Sequence, residues 1–156
     1  MKNHLSRGRN RGPGGIRAES GAAAVEFALV APLLFLVVFA IIDFGFGFHA
    51  WDAAENAARE GARVAAVDPD PNAIITRARN SSSYLDQSKM NVTVTCSRDN
   101  GTSFAVCGAG STWNEGDLVR VTITYDYRFI TPLPTFVGMG SSLHETVVSE
   151  ARFEGQ

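Results

Sequence analysis

From Phe27 to Ile42 sixteen consecutive residues carry no charge, and Ala22 to Val25 extend the run to twenty-one residues interrupted only by Glu26. As an α-helix rising about 1.5 Å per residue, the run is about 31 Å long, close to the thickness of a bilayer's hydrocarbon core. It is long enough to cross a membrane. Residues 1–21 hold five basic side chains (Lys2, Arg7, Arg9, Arg11, Arg17) against the single acid Glu19. The positive-inside bias therefore predicts a cytoplasmic N-terminus and a C-terminus on the far side. Pro32 removes one helical hydrogen bond, which membrane helices tolerate. A simple secretory signal has an apolar region of about 7 to 15 residues followed by a small-residue cleavage site. The run here is longer, and Phe48-His49-Ala50 fits poorly because its first position is Phe. An uncleaved single-span anchor is a second reading of the same stretch.

A lone carboxylate within an apolar run is costly, though less so near a helix N-terminus, where free amides and the macrodipole favour negative charge. Glu26 has that placement, five residues after Gly21. A basic leader, Gly21, four small or apolar residues, Glu26 and a long apolar helix together resemble the type IV prepilin signal. The resemblance implies that a prepilin peptidase cuts after Gly21 on the cytoplasmic side, makes Ala22 the new N-terminus, and leaves the helix in place as anchor and assembly domain. The pairing has its own physical logic. The new amine on Ala22 and the Glu26 carboxylate would each relieve the other's desolvation in lipid, within one chain or between neighbouring subunits.

The rest of the chain is acidic. Of its 14 basic and 16 acidic residues, the leader takes five and one, which leaves nine against fifteen. That balance argues against nucleic acid as a partner and assigns the leader's charge to topology. Ala50 to Gln156 is room for one small domain with a modest core. The only two cysteines, Cys96 and Cys107, both follow the span. In an oxidising compartment they would form a disulfide worth about 3 kcal/mol. In a reducing one they would be two free thiols; the spacing lacks a metal-binding C-x-x-C.

Residues 1–20 are rich in Gly, Pro and Arg and hold almost nothing to bury, so they are expected to be disordered until processed. Phe44, Phe46, Phe48 and Trp51 place aromatic rings where the outer interface should lie, and Asp43 reads as an interfacial residue. Helical periodicity continues from Ala50 to Val67, with Ala50, Ala54, Ala57, Gly61 and Ala65 recurring at three- or four-residue steps. This small-residue stripe suits either close packing, in a helix bundle or on the domain's own sheet, or simply an alanine-rich helix. Asp68-Pro-Asp-Pro71 ends it. A short helix is expected from Asn72, as its cap, to about Arg79. Asn91 to Cys96 alternates as a strand, Asn100-Gly101 signals a turn, and Ser103 to Cys107 suits a return strand. Leu118 to Phe129 is the clearest strand, with Val119, Val121, Ile123, Tyr125, Tyr127 and Phe129 on one face. His144 to Phe153 gives the last. The fold class is α+β: a long N-terminal transmembrane helix continuing into a small extracytoplasmic domain with an antiparallel sheet of three or four strands.

Two segments, Ala22-Ala-Ala-Val-Glu-Phe-Ala-Leu-Val-Ala-Pro-Leu-Leu34 and Asn56-Ala-Ala-Arg-Glu-Gly-Ala-Arg-Val-Ala-Ala66, followed by the late sheet with Val121-Thr-Ile-Thr-Tyr125, resemble the TadE-like pseudopilins of the tight-adherence (Flp, type IVb) pilus system. The specific part is the N-terminal third. The resemblance implies a minor pilin-like subunit of the bacterial cytoplasmic membrane, with a leader (1–21), a transmembrane and assembly helix (22–48) and an extracytoplasmic domain (49–156). Its partners would be the membrane, a dedicated prepilin peptidase, other pilin-like subunits and the tight-adherence assembly apparatus, with a place in surface pili. Phe27 follows Glu26 where the major pilins of that system usually have Tyr. Those also lack a globular domain of this size, which favours the minor role. The alternative is an uncleaved envelope anchor whose exterior domain binds a partner of the apparatus.

No catalytic constellation stands out. His4, His49 and His144 are scattered without ligand spacing, and Gly138-Met-Gly140 lacks the context of a nucleotide fingerprint. No enzyme activity, cofactor, metal or small-molecule substrate is expected.

Overall fold

The computed structural model describes residues 15–108 and 112–155. The leader expected to be disordered lies outside them as far as residue 14. The first helix, α1 (Gly15–Ala65), already includes Gly21. The chain forms two compact units, Met1–Val38 and Phe39–Gln156.

In the first unit, the large apolar side chains between Val25 and Val37 are exposed, as in Leu29 (76 %). In the second, α1 changes character. Asp43, Gly47, Ala50, Ala54, Ala57, Gly61 and Ala65 are buried at steps of three and four residues. These are the small residues of the sequence stripe, extended backwards by one turn and then another. They form part of the domain's own core, together with Val119, Val121 and Ile123 of the sheet. The absence of bulk lets the helix backbone approach the strands closely. A Cβ built on Gly61 would sit 3.2 Å from Val121 Cγ1 and 3.3 Å from Ala78 Cβ.

Helix α2 (Pro71–Ser81) buries Ile74 and Ala78. Its cap is Asp70, not Asn72: the Asn72 N–H donates to Asp70 Oδ1 at 2.9 Å. Pro71 explains the shift, since its fixed φ and missing N–H suit the first helical position and leave the residue before it to cap. Glu60 of α1 accepts from Arg77 of α2 at 3.0 Å, and from Arg63 at 3.2 Å. Hydrogen bonds from these two guanidinium groups hold its carboxyl below the usual range.

The sheet comprises β1 (Met90–Ser97), β2 (Ala105–Val106), β3 (Leu118–Arg128) and β4 (Ser142–Arg152), antiparallel in the order β2-β1-β3-β4. Central β3 alternates as its sequence predicts, with Val119, Val121 and Ile123 fully buried and Tyr125 and Tyr127 nearly so. β4 lies at one end of the sheet, its exposed faces carrying His144, Glu150 and Arg152. Glu150 pairs with Arg120 at 2.7 Å, and His144 Nδ1 lies 2.7 Å from Asp126 Oδ1.

Cys96 and Cys107 form the disulfide, with Cα atoms 5.5 Å apart. It joins β1 to the residue after β2, whose N–H donates to Val94 O at 3.2 Å. Asn100 (φ 60°) and Gly101 (φ 92°) both occupy the left-handed region that an Asn-Gly turn supplies at least cost. The return strand is shorter than the expected Ser103 to Cys107, for a local reason. Ser103 is drawn to Asp99, whose carboxylate accepts from its N–H (2.8 Å) and its hydroxyl, and also from the Ser97 hydroxyl (2.6 Å). The hydroxyl of Ser103, then that of Ser97, holds Asp99 far below the ordinary carboxylate range. A backbone engaged this way cannot extend the ladder.

Candidate functional site

Among the described residues, no group of three or more His, Cys, Asp or Glu is placed to hold a metal ion. The features that stand out are two exposed apolar surfaces.

The first is the run itself. Its most apolar eighteen-residue window has a mean hydropathy of 2.8 and is only 6 % buried. A core helix of a water-soluble domain with that composition would be covered. Gly21, Ala22 and Glu26, the proposed processing and assembly residues, all lie on α1 and are exposed. A Cβ on Gly21 would meet nothing within 4 Å. Glu26 is the sole acid from Gly21 to Ile42 and makes no ion pair among the described residues.

The second surface begins where the run ends. Asp43 is only 4 % exposed, and its carboxylate grips the loop between β3 and β4. Oδ1 accepts from the N–H of Ile130 (2.9 Å) and of Thr131 (3.1 Å), and Oδ2 from the Thr131 hydroxyl. The Tyr127 hydroxyl donates to the Asp43 carbonyl at 3.3 Å. The sequence reading of Asp43 as an interfacial residue is therefore incomplete: it is a buried latch. The clue is its spacing, because Asp43, Gly47, Ala50 and Ala54 follow the same helical stripe and put residue 43 on the sheet-facing side.

Beside the latch lies an open groove of about 500 Å³, lined on the helix side by Phe44, Phe48 and Trp51 and on the sheet side by Tyr127, Phe129 and Leu143. Gly47 forms part of its floor, where an added Cβ would touch the Tyr127 ring at 3.4 Å. The lining's one other charged group besides Asp43 is Glu145, which pairs across the sheet with Tyr125 and so shares its inward face. Glu145 Oε2 is buried without a hydrogen-bond partner. Burial pushes this carboxyl above its ordinary value of 4.5.

A raised folded-state pKa means that the folded protein holds its proton more tightly than the unfolded chain. Stability from Glu145 is therefore full below about pH 4.5 and declines as the pH rises through the folded value. Glu145→Gln should match the wild type in urea unfolding at pH 4 and exceed it at pH 8. An equal difference at both pH values would show that the effect is not protonic.

The architecture defines a class: one helix long and apolar enough to cross a membrane, whose continuation is the core helix of an α+β domain. Within that class, residues 21–63 match the model of the TadE-like protein family, the family that the sequence resembles. No curated protein and no solved structure matches the chain. The matched segment opens at Gly21 and closes two residues before α1 ends, so it contains both the apolar run and nearly all of the small-residue stripe.

Proposed function

We propose that the protein is a minor pilin-like subunit of a tight-adherence type IVb pilus, cut by a prepilin peptidase after Gly21 and assembled through its apolar helix. The observation that carries this reading is the TadE-like match over residues 21–63, beginning at the residue that would precede the cut. Two features support it. The apolar run is exposed on its own unit, as a helix that inserts among others requires. The same helix supplies Asp43, Gly47 and Ala50 to the domain, so removing it at Ala50 as a signal peptide would strip the loop of its latch.

Ala22 at the new N-terminus and Glu26 four residues on would form the charge pair within lipid. Co-expression with a prepilin peptidase should yield an intact mass beginning at Ala22. Retention of Met1 in assembled, functional material would overturn the reading in favour of an uncleaved anchor binding a partner of the apparatus. Glu26→Ala should insert normally yet lower the yield of sheared surface filaments several-fold. Undiminished filaments would remove the charge pair from the account.

A further inference from the structure

We infer that Ile130 to Leu143, the β3–β4 loop with the first two residues of β4, and the aromatic groove beside it form a second membrane contact, seated in the headgroup region of the leaflet nearest the domain. This rests on α1 crossing the membrane, as in the function proposed above. Ile130 to Leu143 carries no charged side chain. Its large apolar residues face outward: Phe136 is 90 % exposed, with Ile130, Val137 and Met139 each more than half exposed. Patches of this kind mark a surface that meets a partner or a membrane.

Three observations make that partner the bilayer. The first is depth. The Asp43 latch fixes Ile130 and Thr131 beside the residue that directly follows the sixteen uncharged residues ending at Ile42, so the loop sits where the apolar run gives way to polar surroundings. The second is continuity. Ile41, Phe44 and Phe48 of the same helix are exposed at 67, 81 and 66 %, and Phe44 and Phe48 line the groove that Met139 and Leu143 also border. Aromatic rings at this position form the belt typical of membrane interfaces.

The third is the backbone. Segments that enter lipid must satisfy their own N–H groups. Of the residues from Phe129 to Met139, Pro132 and Pro134 have none. Phe129 donates to Ser141 O; Ile130 and Thr131 donate to Asp43; Leu133 donates to the Thr131 hydroxyl. Phe136, Val137, Gly138 and Met139 donate to Pro132, Leu133, Thr135 and Pro134 carbonyls through the short helix α3 (Leu133–Phe136) and its end. Thr135 apart, every non-proline N–H from Phe129 to Met139 is thus bonded, more closure than a loop solvated by water needs. On the other flank, Ile130 and Phe46 share a concavity with Arg128 and Lys89, cations at the level of lipid phosphates, although Lys89 is also paired with Asp86 at 3.1 Å.

Because both natural cysteines are bonded to each other, a third can be labelled alone. The full chain carrying Phe136→Cys, labelled with an environment-sensitive nitrobenzoxadiazole probe, would be reconstituted in phosphatidylcholine vesicles at low protein-to-lipid ratio. Lipid doxyl-labelled near the headgroup should quench the probe at least two-fold, while aqueous iodide should leave it nearly unchanged. Val137→Cys provides an independent site. Thr102→Cys, at the turn beyond the opposite end of β1, should show the reverse, and Leu29→Cys, read with lipid doxyl-labelled deep in the acyl chain, reports the span itself. Quenching at Leu29 with an iodide-accessible probe at both 136 and 137 would overturn the inference while leaving the anchor intact; no lipid quenching at Leu29 would instead sink the anchor. Shielding at 136 that appears only as protein is crowded in the vesicle would assign the surface to a second copy and likewise overturn it.

Discussion

Gly61→Leu is expected to lower the stability of the domain by about 3 kcal/mol, the upper end of what overpacking typically costs, and to reduce its melting temperature by about 15 °C. The stripe on α1 works only because it lacks volume. Residue 61 faces Val121 of the central strand, Ala78 of α2 and, at 3.6 Å, Ile74 Cγ2, so three elements converge on a point where even one methyl group is tight. A leucine has no open direction and must push α1 off the sheet or α2 off α1. Gly61→Ala separates the two effects of the site. It gains about 1 kcal/mol of helix propensity and spends a similar amount on contacts at 3.2 and 3.3 Å, so it should lie within about 1 kcal/mol of wild type. Urea unfolding of the detergent-solubilised full chain measures both. A Leu variant as stable as the Ala variant would mean that the helix is held away from β3.

Asp43→Ala is expected to cost about 3 kcal/mol or more and, beyond that, to free the β3–β4 loop. Hydrogen bonds to a charged acceptor contribute about 1.5 to 3 kcal/mol each in favourable settings, and removal here strands two N–H groups and a hydroxyl at once. Hydrogen exchange at Ile130 and Thr131 should accelerate by at least a hundred-fold through local opening of the loop, whereas Val121 and Ile123 in β3 should speed up only as far as the loss of global stability requires. Asp43→Asn should fall between, because its amide oxygen can still accept from both N–H groups that now bond Oδ1. If the Ala variant exchanged at the wild-type rate, the loop would have to be held by its own turns.

Much of the domain could be read from residue order alone, and the reasons are local. The five alternating apolar residues of β3, the three- and four-residue steps of the stripe, and Asn100-Gly101 each express a preference that tertiary packing only reinforces. The disulfide followed from cysteine count and topology. What stayed hidden depends on partners far away in the chain. Asp43 reaches across 87 residues to Ile130, and no periodicity links the two. Glu145 looked unremarkable in a strand with exposed charges, although its parity with Val147 places it on the inward face. The capping switch from Asn72 to Asp70 and the shortened β2 both arose from a neighbour, Pro71 in one case and Asp99 in the other, competing for the same backbone.

The long terminal strand β4 has a neighbour on one side only. An unpaired row of amides and carbonyls invites docking by foreign strands, and proteins discourage it with ionisable side chains along the rim. His144, Glu150 and Arg152 stand along that rim, each already engaged by a charged or polar group of its own domain. Sheets of neighbouring molecules are thus discouraged from fusing edge to edge, which in the proposed filament would leave the joining of subunits to the greasy rods.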